Sequence, residues 1–162
     1  MRRSIKLAGI AVLGIAILGA TNPPQTATVT MSKGYDKGVG LGAATVQQYF
    51  LLPQGATCRG KQRLAMFSWM SGKSVAKPVP AGTPVDIFAA VERANAFHDR
   101  VCQNHVTFTP IPDHRYTVLQ RSVVWDSCRI EVIDTATDQM PADLKEDNSV
   151  KCIETDDPAK TQ

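Results

Sequence analysis

Residues 101–118, VCQNHVTFTPIPDHRYTV, bring Cys102, His105, Asp113 and His114 into one short stretch. A thiol beside an imidazole can act as a nucleophilic pair, and mixed Cys/His/Asp sets can hold a metal ion. Neither chemistry suits this spacing. Cys102 and His105 stand three residues apart, so on an extended strand they face opposite sides. His98-Asp99 and Asp113-His114 fall in turns at opposite ends of that strand, about 45 Å apart along a fully extended chain. Such distant turns cannot share an ion, and no metal site or cofactor is expected.

Other chemistry-bearing residues lack the frames that activate them. Gly72-Lys73-Ser74 matches the end of a phosphate-binding loop, but Phe67 stands where its first glycine belongs. No serine sits in a GxSxG frame. Asp126, Glu131, Asp134, Asp138 and Glu146 are carboxylates with nothing in the sequence to pair them as acid and nucleophile. No catalytic residue is therefore assigned. Trp69 and Trp125 can be core residues or flat platforms for a sugar or protein. With His105, on the expected wet face of its strand, they form the expected binding surface.

The elements that must position these residues follow an export signal. MRRSIK carries Arg2, Arg3 and Lys6, and LAGIAVLGIAILGA is an uncharged run over residues 7–20. A basic start, a short apolar run and a small-residue exit at Ala20 read as a secretory signal over 1–20. Fourteen helical residues reach only about 21 Å, short of the ~30 Å hydrocarbon layer. No span is expected after cleavage, and a periplasmic or secreted location follows.

The whole chain has 18 basic and 15 acidic residues, but three of the basic ones lie in the signal. What remains is balanced, which argues against a nucleic-acid partner. The balance is polarised: residues 21–125 carry 11 basic and 5 acidic residues, residues 126–162 carry 4 and 10. Mutual neutralisation within the fold is the simpler expectation; two charged faces toward partners is the other.

Cys58, Cys102, Cys128 and Cys152 are an even set in an exported chain, so two disulfides are expected. Three pairings exist, and Cys58–Cys102 with Cys128–Cys152 is preferred, because each bridge then closes a loop within one part of the chain and the two do not cross.

Residues 21–43 are rich in Thr, Gly and Pro and read as a flexible leader. The domain is expected over 44–155, with 156–162 as a disordered tail. TVQQYFLL is β-rich; KQRLAMFSWM is apolar on both faces, as in a buried central strand; SGKSVAKPVPAGTP reads as a connection. VDIFAAVERA alternates with period two and is read as a strand, despite fair helix propensity. CQNHVTFT and RYTVLQ alternate around the turn PIPDH, so a hairpin is expected there. SVVWDSCRIEVID and SVKCIE complete the set. Six or seven strands make an all-β fold, an antiparallel β-sandwich of immunoglobulin-like or transthyretin-like type. Tyr116 is placed to tie its hydroxyl to backbone at a corner of such a sandwich.

The segments VPAGTPVDIFAAV, CQNHVTFTP and DHRYTV resemble small bacterial periplasmic or lipoprotein-like β-sandwich proteins over about residues 44–141. In those, VPAG.PV precedes a strand and a cysteine-led segment follows; Thr107 and His114 depart mildly from the pattern. The resemblance implies location and fold and carries over no catalytic residue. The expectation is an exported, non-enzymatic module that binds an envelope protein or cell-wall polymer. The alternative is a periplasmic inhibitor of a hydrolase such as a lysozyme or protease.

Overall fold

The computed structural model describes residues 24–34, 44–55, 57–68, 70–94, 99–124 and 127–153. The expected signal over 1–20, the expected 156–162 tail, His98, Asp126, Trp69 and Trp125 lie outside them. Among the described residues nine strands form two sheets: β1 (Thr26–Ser32), β2 (Ala44–Leu52), β3 (Gln62–Phe67), β4 (Ser74–Pro80), β5 (Val85–Ala94), β6 (Asp99–Phe108), β7 (Arg115–Val124), β8 (Ser127–Asp134) and β9 (Lys145–Glu146). One sheet runs β4-β1-β7-β8 and the other β3-β2-β5-β6-β9. Neighbours are antiparallel except β1 and β7, which pair in parallel. The fold is an all-β antiparallel sandwich, and no helix among the described residues is long and apolar enough to cross a membrane.

Period-two patterning explains the core. Val85, Ile87 and Ala89 of β5 turn inward with Val106 and Phe108 of β6. They meet Ala27, Val29 and Met31 of β1, Tyr116 and Val118 of β7, and Ile130 and Val132 of β8. Each inward side chain leaves water on both flanks, which is the main favourable term of the fold.

Several expectations are corrected. The sandwich does not begin at Ala44: β1 lies inside the expected leader and occupies an interior position of its sheet. Its TATVTMS sequence alternates Thr with Ala27, Val29 and Met31, which the Gly/Pro-rich flanks obscure. The expected connection 71–84 contains β4, an edge strand bonded only to β1, where Pro78 and Pro80 are tolerated because one side of an edge strand needs no donors. KQRLAMFSWM yields β3, also an edge, with Met66 half exposed, so apolar residues on both faces did not mean a central strand. SVKCIE is not a strand; the last strand is β9, two residues long, opposite Val106 and Thr107.

The expected hairpin over 101–118 is instead an arch. β6 belongs to one sheet and β7 to the other, so PIPDH carries the chain across the core. Alternation alone cannot separate the two, because both put the same residues inward. At this corner the Ile111 N–H donates to Tyr116 Oη at 2.9 Å, and the Phe108 and Tyr116 rings lie 5.1 Å apart. Tying the Tyr116 hydroxyl to backbone agrees with the expectation.

The disulfides are Cys58–Cys152 and Cys102–Cys128, one nested inside the other rather than one after the other along the chain as expected. Cys102 in β6 and Cys128 in β8 join the two sheets, with their Cα atoms 5.9 Å apart. Cys152 lies on a C-terminal strap that crosses the outer face of the five-stranded sheet and meets Cys58 beyond β2. Spatial neighbours across the sandwich are distant in sequence, so a rule based on chain order fails.

Between the sheets a polar cluster replaces hydrocarbon. Gln47 and Gln120 are fully buried with Tyr49. Gln47 Nε2 donates to Tyr49 Oη at 3.0 Å and to the Gln120 carbonyl at 2.9 Å; Tyr49 Oη donates to the Ser32 carbonyl at 2.8 Å. Gln120 Nε2 donates to Asn104 Oδ1 at 3.0 Å. Burial pushes the Tyr49 phenol well above its ordinary range, against the opposing effect of the Gln120 N–H bond. A satisfied network of this kind fixes the register of both sheets, since any slip would strand buried polar atoms.

Candidate functional site

The outer face of the five-stranded sheet carries a cross-strand constellation that the alternation sends away from the core. Asp86 lies between inward Val85 and Ile87, so it points outward. His105 and Thr107 flank inward Val106 and point the same way. The register sets Asp86 opposite Thr107 and Phe88 opposite His105. Asp86 Oδ1 therefore sits between two cross-strand partners: Thr107 Oγ1 donates to it at 2.5 Å, and His105 Nε2 lies 3.1 Å away. A carboxylate only accepts, so Nε2 carries the proton in this pair.

Asp86 and His105 are both buried, at 8% and 3% exposure. Burying a carboxylate is costly unless its oxygens are hydrogen-bonded, and the threonine and imidazole meet that need. His105 Nδ1 is buried and has no hydrogen-bond partner among the described residues. Leaving such an atom unmatched costs about 1–3 kcal/mol.

These residues floor an open cleft of about 520 Å³. Gln54 and Gly55 come from the β2–β3 turn and Pro84 from the entry to β5. Gly55 sits at φ +88°, a left-handed conformation that a glycine adopts without penalty. Lys145 and Asp147 form the opposite rim. They are placed there by β9, which pairs Lys145 with Thr107, and by the Asp147 N–H, which donates to the His105 carbonyl at 2.9 Å. Hydrogen bonds from the Ser149 hydroxyl and N–H hold the Asp147 carboxyl below its ordinary range.

The strap continues past the cleft. Val150, Cys152 and Ile153 pack on Phe50, Leu52, Phe88 and Ala90. Gln103 Oε1 accepts from the Cys152 and Ile153 N–H groups at 3.0 Å each, and its Nε2 donates to the Ile153 carbonyl at 2.9 Å. The strap thus adds β9 and a hydrophobic cover to a face that the alternation leaves open to water.

Of the expected binding surface, only His105 is described, and it is a buried cleft floor rather than an exposed platform. Asp86 and Thr107 were missed because their value lies in cross-strand pairing. A polar residue at an outward β position next to a second such strand is the signal that points to them. All four cysteines are in disulfides, which removes thiol chemistry and fits an oxidising compartment. His114 is held elsewhere, by Asp134 at 2.7 Å between its Nδ1 and the carboxylate. No serine or cysteine lines the cleft; what it offers is hydrogen bonding and charge on a preorganised floor. No protein-family model matches the chain, and no curated protein matches it.

Proposed function

We propose that this protein is an exported, non-enzymatic binding module of the periplasm or cell surface that engages an envelope macromolecule. One observation carries the reading: Asp86, His105 and Thr107 floor an open cleft and are fixed there by β5–β6 pairing, and the Lys145 and Asp147 rim belongs to the strap that Cys58–Cys152 clamps. Preorganised sites bind with less ordering cost, which is the property a binding module needs. The apolar segment over residues 7–20 and the paired cysteines support export.

The test is recovery of the protein from its native envelope after reversible cross-linking, together with its intact mass. A mass lacking about the first twenty residues, with four oxidised cysteines and a cross-linked partner, supports the reading. A full-length protein with free thiols, or one that stays uncross-linked in the envelope, overturns it.

A further inference from the structure

We infer that Cys58–Cys152 is a redox-labile latch: a dithiol reductant opens it while Cys102–Cys128 stays closed, and its state sets whether the strap covers the outer face of the five-stranded sheet. The inference goes beyond the binding-module reading and does not depend on what the cleft holds.

The two bridges differ in what holds their sulfurs. Cys102 and Cys128 lie in β6 and β8 and span the sandwich. The fully buried Gln120 donates from Nε2 to the Cys102 carbonyl at 3.4 Å, and the same nitrogen lies 3.5 Å from Cys128 Sγ. Thiols formed there stay face to face on packed strands, at high effective concentration, so the bond closes again. Cys58 and Cys152 lie in no strand; one sits in the turn that leads into β3, the other on the strap. Around Cys152 the strap is otherwise held by three Gln103 hydrogen bonds, by one from Lys61 Nζ to the Cys152 carbonyl at 2.9 Å, and by half-buried Val150 and Ile153. Once that short segment lifts, the two thiols separate.

Charge favours the same bridge. Within three positions of Cys58 and Cys152 the chain carries Arg59, Lys61 and Lys151 against one carboxylate, Glu154. Arg59 and Lys151 are exposed. Such a setting draws in an attacking thiolate and stabilises the departing one. One thiolate of the dithiol attacks a bridge sulfur and forms a mixed disulfide; the other bridge sulfur leaves as a thiolate and takes a proton. The second thiolate of the reductant then closes the reductant's own disulfide and releases the remaining cysteine. Two electrons and two protons pass from the dithiol to Cys58 and Cys152. Phe50, Leu52, Phe88 and Ala90, now buried beneath the strap, are uncovered when it lifts.

The experiment titrates the native protein, both bridges formed, with dithiothreitol, then alkylates and maps the cysteines. Cys58 and Cys152 should be labelled at dithiol concentrations about tenfold or more below those that label Cys102 and Cys128. In that half-reduced state the Cys152 and Ile153 amides should exchange faster and an apolar dye should bind, while the β5 and β7 amides stay protected. Arg59→Glu combined with Lys151→Glu, both at exposed positions, should slow the first reduction by about threefold or more. Labelling of all four cysteines together, or of Cys102 and Cys128 first, overturns the inference. So does a half-reduced protein whose Cys152 and Ile153 amides stay protected or whose β5 and β7 amides do not, and so does an unchanged rate in the charge-reversed variant.

Discussion

A β-carbon at Gly34 would stand 1.8 Å from the Gln120 carbonyl oxygen, which is backbone and cannot move aside. The glycine N–H donates to Gln47 Oε1 at 2.9 Å, so this close approach is also how the buried amides are joined to β1. Gly34→Ala should lower stability by about 1–3 kcal/mol or more, measured as a shift in urea midpoint at constant slope. An unchanged midpoint would mean that the sheets do not close over Gly34 as described. Asp134 is a second residue whose setting has a measurable consequence. Burial pushes its carboxyl up, but the His114 hydrogen bond, the Ala136 N–H and the imidazolium charge outweigh this and hold it below its ordinary range. A carboxyl whose folded pKa is depressed stabilises the fold above its unfolded value, about 3.9, and that contribution disappears as pH falls through the folded value. Stability should therefore decline below about pH 4, and Asp134→Asn should flatten the decline. Equal acid sensitivity in the two proteins would refute the assignment.

At the scale of elements, the strap from β9 to Ile153 is held by the Cys58–Cys152 bond, by Gln103 and by the contact with Phe88. A bridge with a sequence separation of 94 restrains the unfolded chain by about 4–5 kcal/mol in the loop-entropy picture. Replacing both Cys58 and Cys152 by serine should cost up to that amount. It should also raise amide exchange in β9 and uncover Phe50 and Leu52 to an apolar dye, while the inter-sheet Cys102–Cys128 bond keeps the sandwich closed. Peptide mapping without reduction checks the pairing directly. A fragment joining Cys58 to Cys102 would contradict the strap as described.

For the molecule as a whole, the position of β1 matters most. It lies between β4 and β7, and its parallel pairing with β7 runs from Thr28 to Ser32. A chain starting at Ala44 would leave β4 without any hydrogen-bonded neighbour and expose Tyr116 and Val118. Such a truncation should lack a cooperative thermal transition and a dispersed amide spectrum, whereas a chain starting near residue 24 should show both. A folded Ala44 product would place the first strand outside the cooperative unit.

The all-β character was legible in the sequence because alternation sets which side of a strand is apolar, whatever the strand pairs with. Val85, Ile87, Val106, Phe108 and Tyr116 were readable as core for that reason, and the even cysteine count as two bridges. Alternation says nothing about neighbours. It could not distinguish a hairpin from an arch at PIPDH, place β3 at an edge, or recruit the Thr-rich segment 26–32 into a sheet. The disulfide partners and the Asp86–His105–Thr107 cluster depend on distances between residues 19 to 94 positions apart. The cluster exists only once β5 and β6 have paired in register, and the bridges only after two sheets have packed and the strap has crossed one of them, so strand pairing and tertiary structure decided them.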